Sequence, residues 1–232
     1  MSSLDPHDIE LFTNSLSLTM RVSRELKNYL CPKDHSPYYG HIIKSETFYG
    51  KSSLQIIEML YKIYKLCCVG NVHKAFNFSD NVCLSVGIIV DKKDYFNNIA
   101  NYIIELNNAL GYFCIDKTNN NSITLAFNDN VISIKPIIEE SDLIGDTYIG
   151  IMSSDVDWSP EKVQLVLKAL SRINTRMYWS EYKFALLEIF TNDLNKYKYL
   201  KTIIDSFGSD TYITVPNEHK ELTLAEIDNY FE

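Results

Sequence analysis

The chain has 232 residues, 46% of them hydrophobic and 22% charged, which allows one large domain or two small ones with a substantial core. With only 8 Gly and 6 Pro it is neither collagenous nor of low complexity, and no run approaches the roughly 18 to 20 apolar residues that would cross a bilayer. A net charge of −8 with 22 Lys+Arg argues against general affinity for nucleic acid, which needs a concentrated basic face, but not against a small local patch.

In chain order, Asp5 and Pro6 read as the cap and first residue of a helix that runs to about residue 30, with Leu11, Leu16, Leu18, Val22 and Leu26 among its apolar positions. Cys31-Pro32 ends it. The following stretch, rich in Pro, Ser, Tyr and Gly, reads as loop with a short strand over 41–44. Residues 51–67, "KSSLQIIEMLYKIYKLC", form the cleanest helix, with a polar stripe of Lys51, Gln55, Glu58, Lys62 and Lys65 on an otherwise broadly apolar, buried body.

"CLSVGIIV" (83–90) reads as a strand and 91–110 as an amphipathic helix with Phe96, Ile99, Ile103, Leu106 and Leu110 inward, closed by Gly111. "YFCID", "SITLAF" and "VISIKPI" then alternate as strands around the turns "KTNNN" and "NDN", and "TYIGIM" adds another. Val163, Val166, Leu167, Leu170 and Ile173 mark the next helix. A further helical block is expected over 180–207, then a strand at "TYITV" and a last segment in which Thr223 and Glu226 have capping-box spacing.

This order predicts an α+β fold: an antiparallel sheet whose core over 83–173 is a β-α-β-β-β-β-α unit of ferredoxin-like kind, with N- and C-terminal helices packed against it. A single domain over 1–232 is expected, mainly helical over 1–75, mixed over 80–175 and mainly helical over 180–232. The odd set of cysteines, Cys31, Cys67, Cys68, Cys83 and Cys114, suits reduced thiols. The first residues carry acids where a signal peptide has a basic region, so a cytoplasmic location is expected, that of the host cell for a viral protein. Enrichment in Ile, Asn, Lys and Tyr points to an AT-rich genome, as in some bacteria, large phages or eukaryotic DNA viruses, and a virus or phage is the expected source.

Four stretches invite a chemical reading. In "SSDVDWSPEK" (153–162), Asp155 and Asp157 at i and i+2 on a strand share a face, as chelation of a divalent ion beside a triphosphate requires. Ser154, Asp155, Val156 and Asp157 resemble the acidic motif of the DNA polymerase β-like nucleotidyltransferases, and that resemblance implies Mg or Mn held by the two aspartates. The Gly-Ser pair which that family carries upstream is absent; here the region reads "LIGDTYIG". The competing reading is a helix entrance, with Ser159 as N-cap, Pro160 at N1 and the acids near the positive end of the helix.

Cys31, His35 and His41, with Cys67, Cys68 and His73 at a distance, are of the right type for zinc but lack a specific spacing. "NSITLAF" has half of a two-histidine phosphoesterase pattern, with Ser122 where the histidine belongs. "NKYKYLK" interleaves Lys196, Lys198 and Lys201 with Tyr197 and Tyr199, which suits either nucleic-acid contact or a solvated helix face. No glycine-rich phosphate loop and no nucleophile–base set with diagnostic spacing is read.

The functional expectation is therefore a non-enzymatic interaction protein that binds another protein, host or viral, through aromatic residues such as Tyr38, Tyr39 and Tyr49, with no cofactor and no membrane. The alternative is a metal-dependent nucleotidyltransferase-like enzyme using Asp155 and Asp157.

Overall fold

The structure is a computed structural model, and it describes Phe12, 40–44, 51–119, 121–154, 156–173, Arg176, 186–190, Thr202, 211–215 and 220–222. Its strands are β1 (Gly40–Lys44), β2 (Leu84–Ile89), β3 (Cys114–Asn119), β4 (Ser122–Phe127), β5 (Asn130–Ile137), β6 (Thr147–Ser154), β7 (Leu186–Phe190), β8 (Thr211–Val215) and β9 (Lys220–Leu222). The helices are α1 (Lys51–Cys68), α2 (Val72–Ala75), α3 (Lys93–Leu110) and α4 (Pro160–Ser171), with a 3-10 turn at Glu140–Leu143.

Among the described residues these strands form one sheet in the order β3-β4-β5-β2-β6-β7-β1-β8-β9. Six neighbours, β5-β2-β6-β7-β1-β8, run parallel, and only the outer pairs β3-β4, β4-β5 and β8-β9 are antiparallel. The antiparallel, ferredoxin-like sheet expected over 83–173 does not form. Its elements are present, but β2 pairs in parallel with both β5 and β6.

The physical reason is visible in β2, which is buried at every position. A strand covered on both faces is a continuous apolar run, as parallel sheets require, whereas β4 and β5 alternate as an antiparallel margin does. Leu84, Val86 and Ile88 join the cluster that includes α1 and α3. Gly87 points the other way: a Cβ there would press on Ile137 Cδ1 and lie 3.0 Å from Ile151 Cδ1 and Tyr148 Cε1. The register slips between Ser85 and Val86, leaving Ile149 as an extra residue on β6.

The helical block expected over 180–207 is also corrected, because Leu186–Phe190 is a strand inserted between β6 and β1. Five apolar-rich residues do not distinguish helix from buried strand, and pairing on both sides decides for the strand. The predicted strands at 41–44 and "TYITV" and the helix at 51–67 are present. The helix expected before residue 30, apart from helical Phe12, and the segment with Thr223 and Glu226 lie outside the described residues.

Local signals are met closely elsewhere. Gly111 closes α3 in the left-handed region at φ 71°, with its N–H donating to Asn107 O at 2.6 Å. Asn128 and Asp129, at φ 48° and 60°, make the two-residue turn between β4 and β5. No helix among the described residues is long and apolar enough to cross a membrane.

Candidate functional site

Because β5, β2, β6, β7, β1 and β8 are parallel, their carboxyl ends share one edge, where ligands of open α/β sheets bind. The pairing puts Ser154 beside Ile189 and Ile189 beside Ile43, while Ile89 of β2 is level with Ser153. Lys44, Phe190 and Ser154 are thus the last residues of three adjacent strands on that edge.

Strand β1 stops at Lys44, and α1 starts at Lys51. The sequence from 45 to 52 is "SETFYGKS". Strand, short connection and helix in this order, with Gly50-Lys51-Ser52 at the helix start, match the phosphate-binding P-loop pattern G-x4-G-K-S/T, except that Ser45 stands in place of the first Gly. In that motif backbone N–H groups and the helix N-terminus receive phosphates, and the Lys reaches the outer ones. The reading that no phosphate loop exists overlooked this stretch. With a serine at the first position it is not glycine-rich, and only the β1–α1 junction makes its spacing meaningful.

The first turns of α1 are held against the neighbouring strands. Gln55 Nε2 donates to Ser153 O at the carboxyl end of β6, and Tyr102 on α3 donates its hydroxyl to Ser53 Oγ. The stripe Gln55, Glu58 and Lys62, polar and at helical spacing, is buried rather than solvated: Gln55 and Glu58 are 0% exposed and Lys62 7%. Glu58 and Lys62 satisfy one another across a helical turn at 3.0 Å. α1 thus lies against β6 and β7, with Gln55 bonded to the carboxyl end of β6.

After Ser154 the chain reads Asp155-Val156-Asp157. Asp155 lies outside the described residues. Val156 is fully buried, Asp157 is exposed, and the Asp157 N–H donates to Asp91 Oδ2 at 2.7 Å. The helix entrance forms as well: Ser159 Oγ accepts from Lys162 N at 3.2 Å, and Pro160 opens α4. Backbone hydrogen bonding, then Ser159, lowers the Glu161 carboxyl below its ordinary value. Two buried polar atoms in this segment have no hydrogen-bond partner among the described residues, Ser153 Oγ and Trp158 Nε1. Such an orphan at a strand's carboxyl end fits an edge that receives a polar ligand.

The other candidates do not converge. Cys31 and His35 lie outside the described residues, His41 is on β1, and Cys67 and Cys68 end α1. His73 Nε2 is 2.9 Å from Val82 O, and no group of three or more metal-binding side chains occurs among the described residues. Cys67, Cys68, Cys83 and Cys114 are free thiols, and burial, then Cys68, pushes the Cys67 thiol up to about 12. Ser122 lines a cleft of about 450 Å³ with Lys93, Asn121, Lys135, Pro136, Ile138 and Asp142, where no histidine stands. Tyr38, Tyr39, Tyr49 and the 195–201 stretch lie outside the described residues.

No family model and no curated protein sequence matches the chain. Solved structures do. The large terminase of a thermophilic bacteriophage is similar over 90% of this chain and 49% of its own, with a TM-score of 0.55 at 14% identity. The same terminase in complex with ADP gives a TM-score of 0.56 at 14% identity over 90% and 49% of the two chains. Its complex with ATP-gamma-S gives 0.54 at 13% identity over 90% and 48%. The chain thus spans about half the length of the structures it matches.

This likeness corrects three expectations. The sheet is mixed and the fold resembles part of the phage terminase structure, not an antiparallel ferredoxin-like one. The non-enzymatic interaction protein, and with it the nucleotidyltransferase-like alternative, gives way to a fold that in the phage terminase is found with ADP and ATP-gamma-S. The expectation of no cofactor falls with them.

Proposed function

We propose that the chain is a P-loop domain that binds and hydrolyses ATP with a divalent ion. The observation that carries this reading is the order of β1 and α1: Lys51-Ser52, preceded in sequence by Gly50, opens the helix that follows a parallel strand, and Gln55 in the first turns ties that helix to the carboxyl end of β6. The two sequence elements that such chemistry needs, a phosphate loop and an acidic strand end, thereby meet on one edge. The terminase likeness supports the same reading, as does the unpartnered Ser153 hydroxyl.

The donor set fits a magnesium nucleotide. Lys51 would hold the outer phosphates and the Ser52 hydroxyl the ion, as these residue types do in P-loop proteins. Asp155, next after β6, would hold the ion or its waters, and Asp157, exposed two residues on, would orient the attacking water. A bound Mg-ATP supplies the transferable phosphoryl group and neutralises the charge that develops on it. The residues of this chain bind, orient and polarise. The phage relatives also suit the compositional expectation of a viral source, and the reading admits a DNA partner, which the net charge of −8 opposes only as a general affinity.

The test is ATP turnover with Mg, and ATP-gamma-S binding by calorimetry, for wild type, Lys51→Ala and Asp155→Ala. Turnover is expected to fall by roughly 100-fold or more in each variant, the loss typical of removing one charge-stabilising group. A wild-type chain that binds no nucleotide at millimolar concentration, or a Lys51→Ala protein that turns over normally, overturns the proposal.

A further inference from the structure

Asp91 follows β2 by two residues and lies on the carboxyl edge next to β6. Its carboxylate makes two contacts there. Oδ2 accepts the Asp157 N–H at 2.7 Å, and Oδ1 stands 3.5 Å from Lys162 Nζ. That ammonium also donates to Val90 O at 2.9 Å and Ile138 O at 3.2 Å, the backbone oxygens just beyond β2 and β5. One lysine from the first turn of α4 thus gathers the ends of two strands and the carboxylate that grips the segment after a third. Asp91 and Lys162 are largely shielded, at 23% and 16% side-chain exposure, so the pair is less screened than a surface ion pair.

We propose that Asp91 and Lys162 are positioning residues for Asp157, clamping its backbone so that its carboxylate keeps its place against bound nucleotide. This rests on the ATPase reading above. Asp157 itself projects to solvent while Val156 is buried beside it, so the buried side chain and the clamped N–H together leave these two residues little freedom. A hydrogen bond from a backbone N–H to a carboxylate at 2.7 Å is of the strong kind, and the Lys162 ammonium 3.5 Å from the other carboxylate oxygen keeps the acceptor aimed. Neither residue needs to touch nucleotide. Their effect is on the geometry of groups that do, where a displacement of about 1 Å costs on the order of 100-fold in rate.

Asp91→Ala removes acceptor and charge; Asp91→Asn keeps an oxygen for the Asp157 N–H; Lys162→Met keeps the stem and loses the ammonium. Each is to be measured for kcat and KM with Mg-ATP, and for amide hydrogen exchange over 155–158 without nucleotide. The clamp predicts faster exchange at Asp157 in Asp91→Ala, a kcat at least roughly tenfold lower with KM within about twofold, and substantial recovery of both in Asp91→Asn. Lys162→Met is expected to fall between them. Unchanged exchange at Asp157 in Asp91→Ala overturns the inference whatever the turnover. Faster exchange with an undiminished kcat overturns the positioning role and leaves the ATPase reading intact. Equal loss in Asp91→Ala and Asp91→Asn, with global exchange raised throughout, assigns the pair to stability alone and also overturns it. Absence of turnover in wild type with intact Asp157 protection refutes the ATPase reading, and the positioning role with it.

Discussion

Asn130 offers a direct test of how the sheet is joined to the end of α1. It is the first residue of β5, is 1% exposed, and reaches back to the turn between α1 and α2. Its Oδ1 accepts the Val72 N–H at 2.8 Å, while Nδ2 donates to Gly70 O at 2.6 Å, Asn128 O at 2.9 Å and, at the longer distance of 3.5 Å, Cys67 O. Asn130→Ala strips all four. The carbonyls of half-buried Gly70 and exposed Asn128 can turn to water, so the larger loss is the N–H of fully buried Val72. An orphaned buried donor costs about 1–3 kcal/mol and each lost bond about 1 kcal/mol, so a total near 3 kcal/mol is expected.

For a chain of this length that corresponds to a melting point about 6–12 °C lower. Urea unfolding followed by circular dichroism should show a lower midpoint with unchanged slope, since the loss is of stability and not of compactness. Val72→Pro supplies the control. Val72 is the first residue of α2, where Pro is tolerated, and Asn71 before it is extended at ψ 110°, as a residue before Pro must be. With the N–H itself deleted, Asn130→Ala should cost at least about 1 kcal/mol less than it does alone. A single-variant loss below about 1 kcal/mol, or no coupling with Val72→Pro, refutes the latch.

Two further outcomes follow from packing and burial. Gly87→Ala should cost about 1–3 kcal/mol by crowding Ile137, Ile151 and Tyr148, and Ile137→Val, which removes the Cδ1 that the new methyl meets, should restore much of it; equal stability of Gly87→Ala and wild type in urea would contradict the close approach. Because burial raises Cys67 from the ordinary 9.0 to about 12, the unfolded chain ionises first, and stability present below 9.0 is lost as pH rises toward 12. The stability gap between wild type and Cys67→Ala should therefore narrow over that interval, and a gap constant with pH counts against a buried thiol.

Much of this protein is written in short-range signals. The α1 helix follows from residue spacing, Gly111 from the need for a left-handed residue after α3, and the α4 entrance from Ser159 and Pro160 in their places. These depend on contacts within a turn or two, which a linear pattern can carry. The unbroken apolar run in β2 also held the mark of a strand covered on both faces, against the alternation in β4 and β5, but only the pairing turned that mark into a parallel core.

Strand order was beyond local reading, because pairing β1 with β7 and β8 joins residues some 146 and 171 positions apart, as Gly40 with Leu186 and Gly40 with Thr211 show. That order decided what the polar residues are for. In the α1 stripe, polar by its spacing, Gln55, Glu58 and Lys62 are buried, and Gln55 bonds to Ser153 O of β6, two strands away from β1 in the sheet. "SETFYG", a loop by composition, became with Lys51 and Ser52 a phosphate-loop candidate once β1 and α1 framed it, and "SSDVDWSPEK" proved to be a helix entrance that also ends a central strand. Residue types and local elements came from the chain itself; their meeting on one edge came from long-range parallel pairing, whose free energy no short window of sequence contains.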